Sequence, residues 1–528
     1  MENISLDRRI AQLFMVGFSG CEAYEQLTSL IEKHGFTSFI VFQQNLRDFE
    51  TLCSMVGEAR KTAERLGLAA LLFAADEEGG LISPLGAAVG RLPSAMGLSA
   101  GGSEARARHA AYLVGIGLKD AGLDLVLAPV LDVNNEPDNP VIGTRSFGDD
   151  AQLVASMGAA VLDGYHSAGL ACCIKHFPGH GSTKEDSHKC LPVIDSTMEQ
   201  LRFKEFPPFR AAFERGAEAV MTAHVAYPSV DGEALRPSTL SPKILTDILR
   251  KQMGFKGTVI SDSIEMAGLS GYMPGPEACV EALKAGVDLL ICVDPGLAVD
   301  CAAQVSKSLE AGEIGDEVIE SALRNIECLK AASRGNVSES LESALQDGPA
   351  DPESILSECY TASLTLLGLD PQRLKERVGT VEKGALLLPD GLPGYEETDI
   401  AFVESVLANL GVTDRWRVIS YPFNPTDADV FRLTGQVGDS EGVIFCGLSR
   451  GPAPKGQRRF CETMARRGKL RVGVALLDPY EAIWGLPTDL PRVATYGYWP
   501  ECLAALLDLL FGLGGAPGAM PVQGVSIV

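Results

Sequence analysis

The sequence predicts an α/β protein, a (β/α)8 TIM-type barrel followed by a second α/β domain. The first part of the chain contains eight short apolar runs, many of them rich in β-branched or aromatic residues, with helical stretches between them. Eight strands that alternate with helices over roughly 250 residues are typical of this barrel. An open doubly wound sheet is the alternative reading of the same pattern. The runs are Leu13–Gly17, Ser38–Phe42, Leu71–Ala75, Leu123–Val130, Ala171–Ile174, Ala219–Ala223, Thr258–Ser261 and Asp288–Val293.

Crossover helices are predicted where amphipathic periodicity separates these runs. The clearest segments are Glu104–Ala121, Ala151–Ala168 and Ser241–Met253, and a further helical stretch, Gly315–Ser333, follows the eighth run. Each is long enough to bring the chain back to the start of the next parallel strand.

A polar segment rich in Ser, Gly, Glu and Asp, 334–352, is predicted to be a linker. The barrel domain is therefore expected over 1–333 and the second domain over 353–528. That second part carries no Gly-rich phosphate loop after a strand, so no nucleotide cofactor is expected. Its candidate strands are Ala385–Pro389, Trp416–Tyr421, Val443–Gly447, Val472–Asp478 and Val493–Tyr498, with helices such as Phe402–Leu410 and Gln457–Arg467 between them.

Charge and cysteine content limit the class of protein. The net charge of −24 over 528 residues repels phosphate backbones and anionic lipid surfaces, which argues against nucleic-acid and membrane partners. The first residues lack the pattern of a signal peptide, and no long uncharged apolar stretch follows. The thirteen cysteines are scattered, without a C-x-x-C pair, which is typical of free thiols in a reducing compartment. A cytoplasmic enzyme is expected.

Ionisable residues follow six consecutive apolar runs. Because the carboxyl ends of parallel barrel strands meet at one rim, these side chains are expected to share one site. They are Asp76, Asp132, the pair Lys175 and His176, His224, Asp262 and Asp294. Asp294 is expected to be a strand-end or loop residue without a role in chemistry.

The most informative segment is KHFPGHGSTKEDSH, residues 175–188. It holds three of the seven histidines of the chain. Pro178, Gly179 and Gly181 disfavour regular structure, so the polar groups are expected on a loop. A loop with a lysine, three imidazoles and a carboxylate directly after an apolar run indicates an active site.

Five segments resemble the motifs of glycoside hydrolase family 3, and their closest match is its bacterial β-N-acetylglucosaminidase branch. They are LDRRIAQLFMVGFSG from Leu6, APVLDVNNEPDNPVIGTRSFG from Ala128, KHFPGHGSTKEDSH from Lys175, VMTAHVAYPSVDG from Val220 and GFKGTVISDSIEM from Gly254. The tail GLGGAPGAMPV from Gly512 resembles the segment that closes the second, α/β-sandwich domain of this family. The resemblance implies a retaining, exo-acting hydrolase that trims N-acetylglucosamine from cell-wall or chitin fragments.

The resemblance also implies roles for individual residues. Asp262 matches the nucleophile, His188 the acid/base and Asp186 its carboxylate partner. A carboxylate can form the covalent intermediate of a retaining enzyme, and an imidazole titrates close enough to neutral pH to give and take a proton. Asp76, Arg145, Lys175 and His176 match groups that bind the sugar, and Asp132 and His224 match motif positions that either bind substrate or support those that do.

Two departures from the family pattern affect the outer subsites. Leu81 stands where D-x-E-G-G is commonly followed by Arg, and Ser263 replaces a frequent second Asp. His176 and His180 have the spacing of a helical zinc pair, but the intervening Pro178 and Gly179 disfavour that helix, so no metal is expected. His34, His109 and His166 are predicted in helices or at helix ends, with structural roles only.

Three alternative functions remain open at this point. A β-glucosidase of the same family would need no acetamido pocket. A phosphorylase would use the neutral imidazole because it repels phosphate less than a carboxylate does. A sugar-binding protein without catalysis would retain the fold, although Asp262, Asp186 and His188 are all present.

Overall fold

The computed structural model describes residues 6–233, 235–334, 352–368, 370–480, 490–512 and 514–522. The chain divides into two compact units. The barrel unit comprises Met1–Leu92, Glu104–Val133 and Ala151–Pro352, and the second unit comprises Pro93–Ser103, Asn134–Asp150 and Glu353–Val528. The predicted linker, 334–352, lies outside the described residues except at its two ends, and the predicted domain boundaries stay a prediction.

The barrel unit contains the eight parallel strands that the sequence predicts. Each strand pairs with the next along the chain, β1 also pairs with β8, and a parallel bridge between Ile260 and Leu289 joins the last two strands. The ring of strands is therefore closed, and the open doubly wound sheet is excluded. The strands are β1 (Phe14–Val16), β2 (Ser38–Val41), β3 (Leu72–Ala75), β4 (Leu125–Val126), β5 (Ala171–Phe177), β6 (Ala219–Thr222), β7 (Thr258–Ile260) and β8 (Leu290–Cys292).

Helices follow the strands, as the periodicity predicts. The predicted segments correspond to Glu104–Asp120, Ala151–Ser167 and Asp316–Ala332, while the Ser241–Met253 segment forms a π-helix over Lys243–Gln252. The remaining helices of the barrel unit are Leu6–Ala11, Tyr24–Ser29, Leu30–His34, Phe49–Arg65, Gly86–Val89, Met198–Phe203, Phe206–Glu214, Pro228–Asp231, Ala267–Ser270, Gly275–Ala285 and Pro295–Glu310. Several of these helices begin after an N-cap residue whose side chain accepts a backbone hydrogen bond. Asp294, for example, accepts one from the backbone N–H of Leu297 (2.7 Å). Asp294 thus follows β8 and caps the next helix.

The second unit contains a six-stranded mixed sheet in the order β11-β10-β12-β13-β14-β9. Its strands are β9 (Thr365–Leu367), β10 (Gly384–Pro389), β11 (Trp416–Tyr421), β12 (Gly442–Gly447), β13 (Leu470–Ala475) and β14 (Arg492–Ala494). The five predicted strands are present. The antiparallel edge strand β9 was not predicted, because three residues directly after a helix give no measurable periodicity. The helices are Ala95–Ala100, Pro352–Ser363, Pro371–Gly379, Ile400–Asn409, Asp427–Gln436, Lys455–Arg466 and Pro500–Phe511.

Aromatic and aliphatic side chains form the core of the second unit between its sheet and helices. The ring of Phe445, on β12, lies 5.5 Å from the rings of both Tyr421 and Phe460. Leu387, Leu433 and Met464 are fully buried in the same cluster. Aromatic groups in contact between neighbouring strands and the helix that covers them stabilise a sheet–helix layer structure.

Among the described residues, no helix has both the length and the apolar character needed to cross a membrane. All thirteen cysteines are free thiols, and most of them are buried in the apolar interior.

Buried or partly buried carboxylates connect neighbouring strands at the amino end of the barrel. Asp124, before β4, accepts a hydrogen bond from Phe73 N–H at the start of β3 (2.8 Å), and Asp288, before β8, accepts one from Val259 N–H of β7 (2.8 Å). Glu218, before β6, does the same for Cys172 N–H of β5 (3.0 Å). Each carboxylate therefore satisfies a strand N–H that would otherwise lack a partner.

The contribution of these carboxylates to stability can be measured at Asp288. Asp288 also binds Arg250 (2.5 Å) and Asn325 (2.9 Å). The Asp288→Ala variant should lower the free energy of unfolding by about 3 kcal/mol, because the partly buried guanidinium of Arg250 and a strand N–H lose their acceptor. The urea midpoint of the barrel transition reports this loss. The Asp247→Ala variant, which removes only a surface carboxylate paired with Lys243 and Lys251, should leave that midpoint unchanged. Equal midpoints for the two variants would refute the role of Asp288.

Candidate active site

The carboxyl ends of the barrel strands bring most of the predicted site residues together. Asp76 directly follows β3, and Asp262 lies two residues after β7. The expected loop position of Lys175 and His176 was wrong, because β5 continues to Phe177 and includes both residues. Their side chains are buried and held by strand backbone. A strand gives them a more rigid base than a loop would.

Lys175 is an almost completely buried cation between two carboxylates. Its ammonium forms ion pairs with Asp76 and with Glu78, the latter at 2.6 Å from Nζ to Oε1. A buried ammonium needs such partners because removal from water is costly. Glu78 was not among the predicted site residues, although the D-E-E-G-G segment that contains it was noted. The three side chains form a charged group next to β3 and β5.

Asp132 orients two of the histidines of the 175–188 segment. Its fully buried carboxylate accepts hydrogen bonds from His176 Nδ1 (2.7 Å) and from the backbone N–H of His180 (2.7 Å). Burial would raise the pKa of Asp132, but its interactions with His176 and His180 outweigh burial and hold that pKa below its usual range. Asp132 is therefore ionised and fixes the tautomer of His176, with a proton on Nδ1.

Asp262 is a half-buried carboxylate with cationic and polar surroundings. Burial would raise its pKa, but the imidazoles of His224 and His176, the backbone N–H of Ser263 and the ammonium of Lys175 together lower it. Ser263 N–H donates to Oδ1 at 2.8 Å. Asp262 is consequently ionised at neutral pH, the state that a carboxylate nucleophile requires.

His224 supports the segment that carries Asp262. Burial lowers the pKa of His224 despite the nearby Asp262 carboxylate, so the ring is neutral. Its Nε2–H donates to the carbonyl oxygen of Ser263 (2.9 Å), and Nδ1 accepts from the hydroxyl of Thr239 (2.8 Å). Thr239 carries no motif signal in the sequence, so only the fold reveals this partnership.

Asp186 and His188 form the dyad that the D-S-H triplet predicts. One carboxylate oxygen, Oδ1 of Asp186, lies 2.9 Å from both Nδ1 and the backbone N of His188. Partial burial would raise the pKa of Asp186, but these two hydrogen bonds and the charge of His188 lower it. The His188 side chain is 58% exposed. The contact occupies Nδ1 and leaves Nε2 as the ring nitrogen for proton transfer with a bound molecule.

Three further predicted positions have different surroundings. Arg145 belongs to the Asn134–Asp150 segment of the second unit, where its guanidinium donates to the carbonyl oxygen of Val141 (3.1 Å), and its role in the site stays a prediction. Ser263 donates from its hydroxyl to Glu265 (2.6 Å). Leu81 is partly exposed in the turn after Glu78.

The histidines do not form a metal site among the described residues, and three of them lie in helices or at a helix end. The rings of His176 and His180 are 6.1 Å apart at an angle of 70°, and within the described ranges no three His, Cys, Asp or Glu side chains form a group that could hold a metal ion. His34, His109 and His166 lie in helices or at a helix end, as predicted, and His166 contacts Glu218 at 3.0 Å.

Comparison with known proteins identifies the family. The profile of the glycosyl hydrolase family 3 N terminal domain matches residues 5–329, so the chain belongs to this family and is a glycoside hydrolase. It is 25% identical to beta-hexosaminidase A of Pseudoalteromonas piscicida over 94% of this chain and 90% of that protein. It is 34% identical to the beta-hexosaminidase of Idiomarina loihiensis over 55% of this chain and 86% of that protein.

A solved structure resembles the chain over its whole length. It is a glycoside hydrolase family 3 beta-N-acetylglucosaminidase from Paenibacillus sp. str. FPU-7, with a TM-score of 0.88 and 29% sequence identity. The match covers 99% of this chain and 100% of that one. The similarity thus includes the second unit as well as the barrel, and it agrees with the two-domain fold predicted from the sequence.

Proposed function

We propose that this chain is a retaining, exo-acting β-N-acetylglucosaminidase that releases N-acetylglucosamine from cell-wall or chitin-derived fragments. The observation that carries the proposal is the barrel rim, where Asp262 is kept ionised by the groups around it and the chain also supplies an imidazole–carboxylate dyad. The beta-hexosaminidase and beta-N-acetylglucosaminidase relatives support the choice of sugar.

In the first chemical step, Asp262 attacks the anomeric carbon while the bond from that carbon to the leaving oxygen breaks. Nε2 of His188 gives its proton to the leaving oxygen, so the aglycone departs as a neutral alcohol. The products are a glycosyl ester on Asp262 and a neutral imidazole. Two successive displacements at the same carbon retain its configuration.

In the second step, neutral His188 takes a proton from water, and the resulting hydroxide oxygen attacks the anomeric carbon. The ester bond to Asp262 breaks and the carboxylate is restored. Asp186 stabilises the imidazolium form of His188 and orients Nε2, because its carboxylate already holds Nδ1. The exposed position of His188 gives water access in this step.

The sugar is held by the charged groups of the rim. Asp76 accepts hydrogen bonds from hydroxyl groups, and Lys175 and His176 donate to sugar oxygens. Asp132 and His224 act through their neighbours, since Asp132 orients His176 and His224 holds the backbone next to Asp262. These residues require neither a metal nor another cofactor for the two steps.

The thirteen free thiols support a reducing, cytoplasmic location.

Turnover of nitrophenyl glycosides tests the proposed substrate and reaction. The N-acetylglucosaminide should be hydrolysed much faster than the matched β-glucoside, and the rate should not change when inorganic phosphate is added. A phosphate-dependent rate with a sugar 1-phosphate product would identify a phosphorylase instead. Faster turnover of the β-glucoside would identify a β-glucosidase, and absence of turnover on both substrates would leave only sugar binding.

The Asp262→Ala variant should lose nearly all turnover while remaining folded, because the covalent step needs the carboxylate and the residue lies at the open rim. Added azide should restore part of the activity and give a glycosyl azide of inverted configuration, which nuclear magnetic resonance distinguishes from the retained product.

Asp294 provides a matched control, because it also follows a barrel strand but caps a helix. The Asp294→Ala variant should keep parental turnover and lose about 1 kcal/mol of stability. If Asp262→Ala kept more than about a tenth of the parental rate, less than about 1.4 kcal/mol of the barrier would depend on it, and Asp262 would not be the nucleophile.

The His188→Ala variant should slow a phenyl glycoside by about a hundredfold to ten-thousandfold and a dinitrophenyl glycoside far less in the glycosylation step, because only the basic leaving oxygen needs a proton. Pre-steady-state release of the phenol measures that step for each substrate. Asp186→Asn should give a milder form of the same pattern.

His109→Ala, on the helix Glu104–Asp120, controls for the loss of an imidazole and should change neither rate. Equal slowing of both substrates by His188→Ala would mean that this residue shapes the site without transferring a proton.

A further inference from the structure

Ser187 lies between the two residues of the dyad, yet its environment is the opposite of that of His188. Its side chain is 1% exposed, whereas the adjacent His188 side chain is 58% exposed. A buried hydroxyl in an otherwise exposed loop needs a polar partner. Ser187 finds that partner in His180, since Oγ and Nε2 are 2.9 Å apart.

His180 is itself firmly held. Its side chain is buried, and its backbone N–H donates to the Asp132 carboxylate at 2.7 Å. The same carboxylate binds Nδ1 of His176 on β5. The hydroxyl of Ser187 is thereby connected, through His180 and Asp132, to the rigid strand that carries Lys175 and His176.

The backbone of Ser187 contacts a second part of the site. Its carbonyl oxygen accepts a hydrogen bond from Gly268 N–H at 2.9 Å. Gly268 belongs to the short helix that follows Asp262, six residues further along the chain. A Cβ atom at Gly268 would lie only 3.0 Å from the carbonyl oxygens of Ser187 and His224. The close approach therefore depends on the absence of a side chain there.

We propose that Ser187 is a positioning residue, which places the Asp186–His188 dyad relative to Asp262 by binding His180 through its hydroxyl and Gly268 through its carbonyl oxygen. The inference rests on the proposed function, in which His188 transfers the proton and Asp262 is the nucleophile. One residue on each side of Ser187 belongs to the dyad, so both dyad side chains start from a backbone position that is fixed at two points.

This arrangement explains how the exposed imidazole of His188 is oriented toward the glycosidic bond of the substrate. Proton transfer requires heavy atoms within about 3 Å of each other, and a misplacement of about 1 Å is costly. The contact between Asp186 and His188 is internal to the loop and orients the ring relative to the loop only. The two contacts of Ser187 supply the orientation of the loop relative to the rim.

The Ser187→Ala variant tests the hydroxyl contact. It should slow the phenyl glycoside by about tenfold, because one buried hydrogen bond is lost, and leave the glycosylation rate on the dinitrophenyl glycoside nearly unchanged. The His180→Leu variant removes the same bond from the other side and should show the same selectivity. Ser229→Ala, which removes an exposed hydroxyl bound to Asp195, should change neither rate.

A double-mutant cycle separates positioning from a general structural role. In a His188→Ala background, Ser187→Ala should add no further slowing on the phenyl glycoside, because the group that it positions is absent. A full additional loss in that background would overturn the inference, as would equal slowing of both substrates by Ser187→Ala and His180→Leu. The His188→Ala variant alone reports on the proposed function; if it showed no leaving-group selectivity, the acid/base assignment itself would fail.

Discussion

Closure of eight parallel strands into one ring is the constraint on which the barrel site depends. Because all strands run in the same direction, residues that follow β3 and β7, or end β5, must lie at the same rim although each strand end is far from the next in sequence. At the opposite end, three carboxylates join neighbouring strands, namely those of Asp124, Glu218 and Asp288. The amino end is thus devoted to stability, and the carboxyl end carries the chemistry.

Electrostatics at the rim contrasts with that of the whole chain. The protein has a net charge of −24, yet Lys175 and the imidazoles of His176 and His224 surround Asp262. These local groups outweigh burial and keep the carboxylate ionised, because interactions within a partly desolvated site are screened less than those at the surface.

The three successive carboxyl groups of Asp76, Glu77 and Glu78 have two different environments. Asp76 and Glu78 pair with Lys175, while Glu77 accepts hydrogen bonds from Ser83 and from Leu85 N–H (3.0 Å). Burial raises the pKa of Glu77 to about 7, although these hydrogen bonds and Arg91 oppose that effect. Neighbours in sequence thus have different partners because alternate side chains face opposite sides of the backbone.

The fold class, the number of barrel strands and most of the ionisable residues at the rim follow from local patterns in the sequence. Short apolar runs identify buried parallel strands, and a polar residue at the end of each run marks one edge, so local patterns suffice for these features. The D-S-H triplet likewise predicts the contact between Asp186 and His188, since both partners lie within one turn of chain.

Contacts between groups far apart in the chain depend on the tertiary structure. Examples are Glu78 with Lys175, Thr239 with His224, and Ser187 with Gly268. The tertiary structure also decided that Lys175 and His176 lie in β5, because pairing with neighbouring strands outweighs the local preference of Pro178 and Gly179 for a loop. Contacts between residues far apart in the chain depend on how strands and helices pack, and packing leaves no periodic trace in the sequence.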